Sequence, residues 1–270
     1  YEFKNIDIDR YMIDGAPQQV MLSVRELDIN QISQQAQTWV NKHLIFTHGY
    51  GLCMVPVNQF NEEGLPELLI RDIPPISKTD IMVSRPEIYF GESTNHYVIA
   101  NTKQKEFDYP KDNENRYTHY NGSGGIKLNS LFKRIIYAIK LKDIKLLISQ
   151  NIHSRSRLMY DRNVHQIPRK ITPFITYDND PYIVINKDGR LIWMLDGYTS
   201  SEKFPYSTPY ARRINYIRNS VLATVDAYTG ETHFYIKDTN DPIIKAHASM
   251  YPNLFKSLDE LSPDLKSHIR

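Results

Sequence analysis

Glu87 and Glu92 flank the aromatic pair Tyr89-Phe90, and Asp196 and Asp226 hold equivalent places in a doubled phrase, Leu195-Asp196-Gly197-Tyr198-Thr199 and Val225-Asp226-Ala227-Tyr228-Thr229. An aromatic follows each Asp at the same offset, Phe204 in one copy and Phe234 in the other. Paired carboxyls suit glycosidic cleavage when they stand roughly 5 to 10 Å apart across a cleft. The odd separation of Glu87 and Glu92 sends them to opposite faces of an unbroken strand, unless the chain turns at Gly91. Ion pairing with Arg85 or Lys103 is their plainer role. Asp196 and Asp226 either line one sheet edge with Tyr198 and Tyr228, a setting for a sugar or a cation, or bond the backbone of their own turns.

His43 and His48 stand five residues apart, a spacing that fits no standard zinc motif, and the single Cys53 cannot complete one. Asp178-Asn179-Asp180 and Asp238-Thr239-Asn240-Asp241 lack the central Gly and terminal Glu of an EF-hand loop. Walker, dinucleotide and nucleophile-elbow motifs are absent. The sequence therefore predicts no metal, no cofactor and no assigned catalytic residue. His48, Arg85, Glu87, Glu92, Lys103, Asp196, Tyr198, Asp226 and Tyr228 are its binding candidates.

Charge distribution is the sharper signal. Residues 128–171 carry ten basic side chains and two acidic ones, a balance of +8 in a 270-residue chain whose net charge is +2. A basic helical block on an otherwise acidic molecule marks an anionic partner, whether a membrane surface, a wall polymer or nucleic acid. The small net charge argues against nucleic acid. Lys133, Arg134, Lys140, Lys142, Lys145, Arg155 and Arg157 would form the docking surface; a solvated helix face is the bland alternative.

The elements that must position these residues give an α+β class, mostly antiparallel sheets with a central basic helical block and short C-terminal helices. Alternation from Val20 predicts a strand, and Ile29, Ile32, Ala36, Trp39, Val40 and His43 predict one amphipathic helix. Strands are expected at 52–58, 67–71, 85–92 and 96–101. The polar stretch 101–127 reads as a functional loop or a boundary between a sheet-rich part, 1–115, and a second part, 116–270, with one continuous domain as the alternative. A helix capped at Asn129 carries Leu131, Phe132, Ile135, Ile136 and Ile139 on one side. A further turn follows at 144–148, and a third helix is predicted over 154–167. Hairpins are expected at 182–196 and 220–237, and short helices around Pro252 and after Asp259 or Ser262.

With 41% hydrophobic residues the chain is of ordinary globular composition. Its longest apolar run, 135–139, falls far short of the about 20 residues that span a bilayer. The start at Tyr1, without Met or a signal-like region, reads as a processed product or an excised fragment.

Arg25-Glu26-Leu27, Thr47-His48-Gly49-Tyr50-Gly51, Gly64-Leu65-Pro66-Glu67-Leu68, Arg85-Pro86-Glu87-Ile88-Tyr89-Phe90-Gly91-Glu92 and Asn101-Thr102-Lys103-Gln104-Lys105-Glu106-Phe107-Asp108-Tyr109-Pro110 occur in order. With Asp180-Pro181-Tyr182, Asn215-Tyr216-Ile217-Arg218-Asn219-Ser220 and Asp226-Ala227-Tyr228, they make the chain resemble a family of bacterial multi-pass membrane proteins of unknown function, uncharacterised protein family number one hundred eighty-two. The resemblance spans nearly the whole chain. It implies a soluble extracytoplasmic section of an integral membrane protein at the cell envelope, a binding or interaction module for an envelope component or a partner protein. An envelope-polymer hydrolase using the paired carboxylates is the alternative.

Overall fold

The computed structural model describes every residue except Tyr1, Lys4, Asp112, Asn113, Ala211 and Arg212. The class is α+β, with sheets that are almost wholly antiparallel.

The larger C-terminal sheet is built on two long neighbours, Leu191–Ser201 and Tyr216–Asp226. Tyr182–Ile185 and Thr176–Tyr177 pair with the first, and Thr232–Ile236 with the second. Tyr182–Ile185 is buried at all four positions, which explains its unbroken apolar run: a strand covered on both faces does not alternate. Gly189 closes the hairpin at φ 73°, and a Cβ there would lie 2.7 Å from Met82 O and from Ser84 N, so glycine serves both the turn and the close passage of another loop.

The N-terminal sheet centres on Ala16–Glu26, paired with Asp7–Ile13 and Leu52–Pro56. Asp7–Ile13 alternates strictly between buried and exposed residues, the pattern of a strand with one face on a core. That core is shared: Val20, Leu22 and Met54 belong to the same buried cluster as Trp193, Leu195, Val221 and Phe234. Polar bonds reinforce it, with Ile183 N–H donating to Asp7 Oδ2 and Ile185 N–H to the Tyr11 hydroxyl oxygen. A second, smaller core gathers Leu44, Ile99, Leu128, Ala138, Leu146 and Leu158 under helices α1 (Leu131–Leu141) and α2 (Lys145–Ile148). Helix α3 (Gln166–Ile171) follows, then α4 (Pro242–Met250) and α5 (Pro263–Lys266) near the C-terminus.

Several local expectations are corrected. Residues 28–48 form no continuous α-helix, but 3-10 turns at Ile29–Gln31 and Gln34–Ala36 and a π turn at Asn41–Ile45. Side-chain amides take carbonyls that an α-helix would use: Gln37 Nε2 donates to Ile32 O at 2.8 Å, and Asn41 Nδ2 to Ala36 O at 2.7 Å. The stretch 101–127 contains a hairpin, Glu106–Lys111 against Glu114–Thr118, with Phe107 opposite Tyr117. Within 154–167 the chain is a strand, Arg157–Met159, because Leu158 and Met159 pair opposite Ile99 and Val98. Pro168 lies inside the first turn of α3, where its missing N–H costs nothing.

The cap of α1 is Ser130, whose hydroxyl accepts from Lys133 N. The strand expected at 85–92 shrinks to Glu87–Ile88, and that at 67–71 to Ile70–Arg71. After Phe90 the Glu26 carboxylate accepts from both Glu92 N and Ser93 N and draws the chain aside. The first copy of the doubled phrase lies within a strand that runs on to Ser201 through a bulge at Gly197 and Tyr198, whereas the second ends in a turn.

Candidate functional site

Helix α1 is built against the usual sense. Its apolar residues at i, i+1, i+4, i+5 and i+8 form one stripe, and that stripe faces outward: Leu131 is 66% exposed, Phe132 70% and Ile139 72%, with Ile135 and Ile136 exposed beside them. Ile144 and Ile148, flanking and within α2, extend the patch. Helix α1 meets the protein instead through Ala138, half-buried Tyr137 and Leu141, and the Arg134 side chain.

The anchors are specific. Arg134 donates through Nε to Leu146 O at 2.9 Å and through Nη2 to Leu147 O at 2.8 Å, satisfying carbonyls of α2 that have no helical partner. Asp143, between the helices, accepts from Trp39 Nε1 at 2.7 Å and from the Tyr97 hydroxyl. Burial pushes the Asp143 carboxyl up, but these bonds outweigh it and hold the carboxyl below its ordinary value. Lys145 lies over the Trp39 ring and Lys140 over that of Tyr160, which also packs on Tyr137. The outcome is a rigidly held apolar face edged by Lys140, Lys142 and Lys145, with Lys133 half-buried beside it.

The basic block thus divides. Arg157 donates to Gly124 O and Gly125 O, Arg169 to His165 O and Tyr177 O, and buried Arg162 to Tyr89 O, His96 O and Thr47 O. These guanidiniums staple loops. Lys140, Lys142, Lys145 and Arg155 remain exposed.

The remaining candidates fall into separate places. His48 is buried, shares a hydrogen bond at 2.9 Å with Thr47 Oγ1 and one at 3.3 Å with Asp108 Oδ1, and stacks on Tyr89. Next to it Glu106, fully buried, accepts from Thr47 Oγ1, the Tyr89 hydroxyl, Asn101 N and Tyr120 N. Glu87 sits 3.8 Å from Arg85, its Oε2 buried without a hydrogen bond, and burial raises its pKa. Arg85 covers the Tyr228 ring. Glu92 is engaged elsewhere, with His165 Nε2 at 3.1 Å and Asn5 Nδ2 at 2.7 Å. Lys103 is exposed.

Asp196 pairs with Lys237 and Asp226 with Arg190, at 2.7 and 2.6 Å. Asp226 also accepts from Tyr228 N and Thr229 N. Asp196 is opposite Leu222, and Asp226 opposite Ile192. The two carboxyls are therefore four positions apart along the sheet, about 13 Å. Half-buried Tyr198 lies beyond Asp196 on the same strand. Glu106, Arg162, Tyr160 and Trp39 are organising residues that the sequence reading does not single out as site candidates. Among the described residues no group of three or more His, Cys, Asp or Glu is placed to hold a metal ion, and no helix is long and apolar enough to cross a membrane.

The chain matches the uncharacterised protein family UPF0182 over residues 1–270 and belongs to it. It is 50% identical over 270 residues to a "UPF0182 protein" of Pelotomaculum thermopropionicum, covering 100% of this chain and 29% of that relative. A "UPF0182 protein" of Desulforamulus reducens is 51% identical over 271 residues, with 100% and 29% covered. One of Methanospirillum hungatei is 47% identical over 277 residues, with 100% and 31% covered. The chain thus spans about 30% of the length of these curated relatives. No solved structure matches it.

Proposed function

We propose that this region is a docking module that rests on an anionic lipid surface through α1 and α2, within a larger envelope protein whose other parts lie outside this chain. The observation that carries the reading is the outward apolar stripe of Leu131, Phe132, Ile135, Ile136 and Ile139, edged by exposed lysines. An amphipathic helix with aliphatic and aromatic residues on one side and Lys on its flanks is the form that lies in the headgroup plane. Lysines beside that plane each add about 1 kcal/mol of attraction to an anionic leaflet. Contiguous apolar patches of this kind on a folded surface mark a contact face. An extracytoplasmic location is part of this proposal.

Co-flotation with phosphatidylcholine vesicles, with and without phosphatidylglycerol, tests it. The chain should float with the anionic vesicles and far less with the neutral ones. Phe132→Ser combined with Ile139→Ser should weaken partitioning about 100-fold, since each lost side chain forfeits about 1.5 kcal/mol of burial. Equal flotation of the double variant, or a dimer formed through this face that ignores vesicles, would overturn the assignment.

A further inference from the structure

A cleft of about 450 Å³ opens beside the strand Arg157–Met159 and helix α3, within the size range of small-molecule sites. Phe90, Ile126, Leu158, Met159, Ile167 and Ile171 supply its apolar side, and Gly125, Thr229, Gly230 and Thr232 line the rest. Among the described residues, Asp161 and Lys170 are the charged ones in its lining, paired at 2.6 Å with side chains 40% and 52% exposed. Tyr160 lines the cleft as well and carries α1 through Tyr137 and Lys140. The cleft and the outward apolar face therefore share one supporting residue.

We infer that this cleft binds a single-chain amphiphile with a zwitterionic head, its hydrocarbon chain on the apolar lining and its head across Asp161 and Lys170. The apolar side of the cleft takes an acyl chain, leaving the Thr229 and Thr232 side toward water. A cation and an anion side by side at the charged end match a head bearing an ammonium and a phosphate, whereas a purely anionic head meets Asp161 and is repelled. Because the pair is more than a third exposed, its part is selection of the head, and the chain supplies most of the affinity. The source of the ligand, a bilayer under α1, rests on the docking reading; the cleft itself does not.

The test is titration of the whole chain, without vesicles, with lysophosphatidylethanolamine below its micellar concentration, followed by calorimetry. One molecule should bind per chain, and lysophosphatidylglycerol should bind at least tenfold more weakly. Ile171→Trp, at a position 45% exposed and so tolerant of a larger side chain, should fill the cleft and weaken binding tenfold or more while vesicle flotation is unchanged. Phe132→Ser with Ile139→Ser should do the reverse. Absence of saturable binding, or binding indifferent to Ile171→Trp, overturns the cleft assignment. Tighter binding of the phosphatidylglycerol analogue overturns the zwitterionic head.

Discussion

The ammonium of Lys140 sits 4.1 Å from the centroid of the Tyr160 ring. Together with the packing of Tyr137 on the same ring, at 5.4 Å between centroids, this contact fixes a helix whose apolar side is exposed among the described residues. Tyr160→Ala should therefore lower stability by about 1 to 2 kcal/mol and speed amide exchange in α1 before the sheets respond. Tyr160→Phe keeps the ring and should change the urea midpoint little. Equal exchange rates in α1 for both variants would show that Ala138, Leu141 and Arg134 hold the helix without the Tyr160 ring.

Glu106 is the polar centre of the cluster around buried His48. It joins the Thr47 loop, the Tyr89 segment and the chain at Asn101 and Tyr120 through four accepted hydrogen bonds. Glu106→Ala removes the acceptor of the Tyr89 hydroxyl and of the Asn101 and Tyr120 N–H groups, while Thr47 keeps its bond to His48, and should cost on the order of 4 kcal/mol in urea unfolding. Glu106→Gln keeps one acceptor oxygen and should cost about half as much. A loss below about 1 kcal/mol for the alanine variant would mean that water replaces the carboxylate.

Asp7 should make stability depend on pH. Burial raises its carboxyl to about 6 in the fold, against about 3.9 in an unfolded chain. The folded state takes up the proton first, so this contribution is fully present below about pH 4 and is lost as pH rises through about 6. The difference is worth about 2 to 3 kcal/mol. Asp7→Asn keeps an acceptor for Ile183 N–H and carries no charge. The variant should be more stable than the wild type at pH 8 and similar to it at pH 4, by urea midpoints; an unchanged difference across that range would remove Asp7 as the source.

The strands were legible where burial on both faces gives an unbroken apolar run, as in Tyr182–Ile185, and where turn chemistry is local, as at Gly189. Residues 28–48 were not, because the contest between a helical ladder and the Gln37 and Asn41 amides is decided by geometry that periodicity does not record. At the candidate site, the stripe on α1 was visible as a pattern, but a pattern names a face without saying what lies against it. The basic block misled in the same way. Arg157, Arg162 and Arg169 look like surface charge in a count, yet their donors are spent on backbone carbonyls. Glu106 left only a faint mark, one of two acids after Lys103 and Lys105 in an aromatic stretch.

The most direct measurement of the docking claim places an environment-sensitive fluorophore on α1. Cys53 is the single native thiol, so a Cys53→Ser background with Ile139→Cys gives one labelled position at the centre of the proposed contact. A second preparation carries the label through Glu63→Cys, in an exposed loop distant in sequence. On addition of phosphatidylglycerol vesicles, emission at position 139 should shift to the blue and rise in intensity, while position 63 keeps its aqueous spectrum. An aqueous spectrum at both positions, or the same shift at both, would contradict the account.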